Sequence, residues 1–138
     1  MRYPILLATV VAATAITGFA HAQEANPGKS WLSGIHRTDL LHEDLSIPGQ
    51  EIIQARVDID PDIASPRHSH PGTEVAYVVE GTFQYQLEGR PPVTLKAGDS
   101  LFIPAGVAHV AKNIGTGKAS ELATYVVKKG EPLLKLEP

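Results

Sequence analysis

A chain of 138 residues with 43% hydrophobic and 20% charged side chains has the length of one domain and the composition of a folded protein, not of a disordered or collagen-like one. Its formal charge of −3 at pH 7 leaves nothing to neutralise phosphates and excludes a polybasic nucleic-acid binder. With Cys 0 there are no disulfides, no thiolate metal site and no cysteine nucleophile.

Residues 1–22 read as a secretory signal. Arg2 supplies a short positive start, 5–16 (ILLATVVAATAI) is an apolar stretch too short for a comfortable membrane span, and Ala20-His21-Ala22 is a small-x-small cleavage site. Cleavage after Ala22 predicts a periplasmic or secreted protein with no stable membrane insertion. Residues 23–33 contain the turn cluster Asn26-Pro27-Gly28-Lys29-Ser30 and read as a flexible tether.

Beyond the tether the chain reads as strands. In 51–59 (EIIQARVDI), Ile53, Ala55, Val57 and Ile59 fall on one face, and Ile52, Gln54, Arg56 and Asp58 on the other. Asp60-Pro61-Asp62 ends the run. The segments 74–80 and 82–88 are separated by Gly81, and Phe83, Tyr85 and Leu87 share a face of the second. Further runs cover 93–96, 100–103, 108–114 and 121–128, with Gly- and Pro-containing turns between them. Many short strands at regular spacing predict a β-sandwich, jelly roll or small barrel, and spacing alone does not choose among them.

Three of the six histidines stand in a pattern that carries chemistry. His68-Ser69-His70 places two imidazoles at i and i+2, on the same side of an extended strand. Glu74 follows Pro71-Gly72, and His109 lies about 40 residues further on, after Pro104-Ala105-Gly106. Three imidazoles and a carboxylate are a mixed N/O ligand set for a divalent first-row metal. The bland reading of the four is a set of structural polar residues in a barrel.

The spacing His68-x-His70-x3-Glu74-x6-Gly81 resembles the first cupin motif, and Gly98-x5-Pro104-x-Gly106-x2-His109-x3-Asn113 resembles the second. One position departs: Asp62 stands where the family has its leading glycine. The resemblance implies an all-β double-stranded β-helix, the jelly-roll cupin barrel, over 51–129, with an N-terminal arm at 34–50 and a C-terminal tail at 130–138. It also implies a homodimer, with the arm crossing to the partner. The ligands of one divalent ion (Zn, Ni, Cu, Fe or Mn) would be His68, His70, Glu74 and His109. Loading outside the cytoplasm would favour Zn, Ni or Cu, which N/O sites bind more tightly than Fe or Mn. Gly81, Gly98, Pro104 and Gly106 read as turn formers and Asn113 as a structural hydrogen-bonder, while His36 and His42 belong to the arm.

Such an ion implies a metal-dependent enzyme acting on a small enolisable, phenolic or carboxylate compound, with dioxygenase-type cleavage in front. The alternatives are a Lewis-acid isomerase or lyase on a small sugar acid, and a non-catalytic small-molecule or metal-binding protein. No residue stands out as a general base. Gln54, Arg56, Tyr77, Tyr85 and Tyr125 are the candidates for substrate contact, against the plain reading that strand tyrosines pack and polar faces are solvated.

Overall fold

Alternation of period 2 builds the strands of the molecule. In β2 (Gln50–Ile59), Ala55 and Ile59 are buried, with Gln54, Arg56 and Asp58 on the opposite side. The computed structural model describes residues 33–138, so the expected signal and nearly all of the tether lie outside the described residues.

The other strands are β1 (Ile35–Asp44), β3 (His68–Ser69), β4 (Thr73–Glu80), β5 (Thr82–Leu87), β6 (Val93–Lys96), β7 (Ser100–Ile103), β8 (His109–Asn113), β9 (Ala119–Lys128) and β10 (Lys135–Leu136). They form two five-stranded sheets, in the orders β1-β2-β9-β4-β7 and β10-β3-β8-β5-β6, with every pair antiparallel. Ile59, Ala76, Val78 and Ala119 of the first sheet pack against Phe83, Tyr85, Leu87, Leu95 and Ala111 of the second. This is the jelly-roll arrangement.

The segments 34–50 and 130–138 both carry strands. Residues 35–44 form β1, paired along its length with β2 of the same chain and bulged between Asp39 and Leu41. The last residues return as β10, whose Leu136 pairs with His68.

Asp62, the departure from the motif, has φ 63°. The turn after β2 therefore demands the left-handed conformation that glycine supplies elsewhere, and aspartate is among the few other residues that tolerate it. Asn113, with no exposed surface, donates from Nδ2 to the carbonyls of Ile59 and Gly117, both at 2.8 Å, and its Oδ1 accepts from Gly115 N at 2.9 Å. It ties the end of β8 to β2.

Gly72 is required for a different reason. A Cβ there would stand 2.0 Å from the carbonyl oxygen of Val126 and 2.7 Å from Val127 Cα. Both are backbone atoms of β9 and cannot rotate away. Gly72→Ala is expected to destabilise the protein by about 1–3 kcal/mol, read as a lower midpoint in chemical denaturation.

Candidate metal centre

The two sheets deliver four polar side chains to one place. His68 and His109 are direct cross-strand partners of β3 and β8, and their ring centroids lie 4.3 Å apart. His70, two residues after His68, brings its ring to 4.9 Å from that of His68. Each of the three can offer one ring nitrogen, and those nitrogens lie within 4.8 Å of one another. Glu74 arrives from β4 in the facing sheet. Its Oε2 stands 3.0 Å from His70 Nε2 and 3.4 Å from His109 Nε2.

The tautomers follow from the hydrogen bonds. The Nδ1 atoms of His68, His70 and His109 stand 2.7, 2.7 and 3.0 Å from the carbonyl oxygens of Pro66, Leu133 and Val107. A carbonyl only accepts, so each Nδ1 carries the proton, and in the neutral ring Nε2 is left as a lone pair. Burial pushes the pKa of His68 down to about 4, with the charges of its histidine neighbours acting the same way. For Glu74, burial pushes upward, but the contacts and charges of His109 and His70 outweigh it and hold the carboxyl below its ordinary range.

The lowering of Glu74 draws on charged rings; where the rings are neutral and Glu74 is ionised, acceptor faces acceptor. His70 Nε2 and Glu74 Oε2 are buried and neither has a hydrogen-bond partner, despite their 3.0 Å separation. A cation among these atoms satisfies both, and Nδ1–H bonded to a carbonyl is the usual way a ligating imidazole is oriented. The donor set therefore fits a divalent ion held by His68, His70, His109 and Glu74.

The site opens on a cavity of about 100 Å³. Apolar walls come from Ile35, Val57, Ile59, Ala111, Leu133 and Leu134, so β1 and the C-terminal segment both help to close it. Of the expected substrate contacts, Tyr85 and Tyr125 line this cavity. Gln54, Arg56 and Tyr77 do not. They sit on the opposite side of their strands, where Gln54 donates to Thr124 at 3.1 Å, Arg56 pairs with Asp58 at 2.9 Å, and Tyr77 is exposed. His36 and His42 lie on β1 and approach Asp60 (3.9 Å) and Glu51 (2.8 Å), away from the cluster.

Sequence reasoning missed Arg37 and Glu121, which also line the cavity. Glu121 lies on the inward face of β9, is 6% exposed and accepts a hydrogen bond from the Tyr85 hydroxyl across the sheets. Burial, and after it the charge of Glu74, raise its pKa well above the ordinary carboxyl value. Its signal was readable: it is the one charged residue in the alternation Ala119, Glu121, Ala123, Tyr125. Burial likewise raises the Tyr125 phenol, with the charges of Glu74 and Glu121 adding to it.

Comparison with known proteins agrees with this geometry. Residues 55–132 match the family model described as a cupin domain. The chain is 35% identical over 89 residues to germin-like protein subfamily 2 member 1 of Arabidopsis thaliana, which covers 59% of this chain and 41% of that protein. It thus spans about two fifths of the length of that curated relative. Among solved structures, DMSP lyase DddQ from Ruegeria pomeroyi superposes with a TM-score of 0.66 at 21% identity, over 83% of this chain and 57% of the other. KdgF from a Halomonas species superposes with a TM-score of 0.60 at 23% identity, over 71% and 83%.

Two expectations follow. His109→Ala should sharply reduce the metal bound per chain after reconstitution with zinc, while His36→Ala should leave it unchanged, as measured by elemental analysis. Removing residues 131–138 deletes the carbonyl that fixes the His70 ring and should weaken zinc binding about 10–100-fold, read by competition with a chromophoric chelator.

Proposed function

Starting from the fact that this chain belongs to the cupin family, we propose that it is a metal-dependent enzyme for a small enolisable, phenolic or carboxylate compound, working as a lyase or isomerase. The observation that carries this reading is the Tyr85–Glu121 pair on the wall of the same cavity as the metal ligands. When bound, a divalent ion supplies Lewis-acid polarisation of a carbonyl or stabilisation of an enolate.

The residues of the chain do the rest. His68, His70, His109 and Glu74 hold the ion. Burial of Glu121 favours its neutral acid form, and its Oε2 accepts from the Tyr85 hydroxyl. A buried carboxylic acid with a phenol behind it can give a proton to a substrate and take one back, the arrangement by which general acid–base catalysis operates near neutral pH. The apolar walls keep water from competing for that proton.

A second reading, oxidative cleavage with dioxygen as co-substrate, draws on those same apolar walls. Export through a signal at 1–22, loading with Zn, Ni or Cu outside the cytoplasm, and assembly as a homodimer belong to the proposal as well.

The test is anaerobic. Zinc-loaded protein is incubated in heavy water with a panel of small keto acids, β-diketones and phenols, and substrate deuteration and loss are followed by NMR. Exchange or conversion without dioxygen is expected, and Glu121→Gln should slow it by about 100-fold with zinc content unchanged. Conversion by iron-loaded protein only when dioxygen is consumed would move the assignment to the second reading. Binding of panel members with neither exchange nor conversion would make the protein a non-catalytic binder.

A further inference from the structure

Among the described residues, Arg37 is the one Lys or Arg lining the cavity. It stands on the edge strand β1 directly opposite Val57 of β2, whose side chain lines the cavity too. Its Nε donates to Asp39 Oδ1 at 2.8 Å, two residues along the same face. The guanidinium carbon lies 5.6 Å from the centroid of the Tyr125 ring. One contact holds the nitrogen nearest the stem and the other keeps the guanidinium over the Tyr125 ring, so a fork of donors is held at the cavity before any ligand arrives.

Neither cavity carboxyl is the counterion of this charge. Glu74 is engaged with His70 and His109, and Glu121 with Tyr85. The pairing partner Asp39 is the more exposed member of its pair, at 68% against 34% for Arg37. An ion at the histidine cluster would be only partly offset by Glu74, so the cavity would be positive at both places and apolar between them. Its volume of about 100 Å³ is well below the roughly 300 Å³ at which pockets take drug-sized ligands.

We propose that this cavity takes a short-chain carboxylate, with Arg37 receiving the carboxylate group and Ile35, Val57 and Ile59 packing on the carbon chain. The inference rests on reading the cavity as a substrate site and narrows the three compound classes given above to one. A charge-assisted, two-pronged contact to a carboxylate is what the guanidinium geometry provides and an uncharged isostere cannot use.

The probes are propanoate and its neutral isostere propanamide, titrated calorimetrically into zinc-loaded and zinc-free protein. Wild-type protein should bind propanoate at least about 10-fold more tightly than propanamide. Arg37→Met, which keeps the stem over Tyr125, should remove that preference without changing zinc content, and Arg37→Lys should restore part of it. Equal binding of the two probes by wild-type protein would overturn the proposal without recourse to any variant, as would full propanoate affinity in Arg37→Met. Zinc analysis of the same samples judges the metal reading separately. Protein that takes no zinc yet discriminates through Arg37 keeps the carboxylate site and loses the metal enzyme. Protein that binds zinc with no dependence on Arg37 does the reverse.

Discussion

The three clustered imidazoles commit their Nδ1 protons to backbone carbonyls at 2.7–3.0 Å, and from that commitment the character of the cavity follows. Once the donor of a neutral imidazole is used, its second nitrogen can only accept. Here His70 Nε2 meets another acceptor, the Oε2 of Glu74, at 3.0 Å. For His68, burial opposes the charged ring and pushes its pKa down to about 4. A shared cation relieves the meeting of acceptors without charging a ring. The capacity to hold a metal is thus set by backbone carbonyls that orient the rings and would not themselves be ligands.

Those carbonyls tie the site to the whole barrel. Pro66 and Val107 stand two residues before His68 and His109, so local chain geometry orients those two rings. The His70 ring depends instead on Leu133, 63 residues away in the segment that ends in β10. Glu74 comes from the other sheet, placed by its pairing with Tyr125 of β9 and Ile103 of β7. Gly72 lets the β3–β4 connection pass close beside β9, since its missing Cβ is what leaves room for the β9 backbone. Packing of the two sheets and assembly of the donor set are one event.

Much of this was legible in the sequence because it is periodic or local. The alternation in 51–59 and 82–88 identified the buried faces of β2 and β5, and the i, i+2 spacing put His68 and His70 on one side. The remainder depends on long-range placement. Gln54 and Arg56 looked like cavity residues because the polar face of a strand meets either solvent or a polar cavity, and periodicity does not distinguish them. Arg37 was hidden because β1 has exposed residues on both faces, so its burial pattern has no alternation to read. The two-residue strands β3 and β10 are too short to leave a pattern at all. Asp62 departs from the motif in sequence and, as a non-glycine residue, meets the same backbone requirement.

Two glutamates, on adjacent strands of one sheet, show how surroundings assign different work to the same side chain. Glu74 has the His70 and His109 rings within 3.4 Å, and their hydrogen bonds and charge when protonated hold its carboxyl below the ordinary range. Glu121 has a phenol for its partner, so burial dominates and raises its pKa well above the ordinary carboxyl value. The charge on Glu74 reinforces this, because a second carboxylate nearby is harder to ionise. The two states are therefore linked: the site can hold one anionic ligand for a metal precursor and one neutral acid for proton transfer, but exchanging the roles would require moving the imidazoles. A divalent ion at Glu74 would screen its charge and ease the ionisation of Glu121. Metal occupancy and the proton on the cavity wall are thereby coupled through space, with no moving part between them.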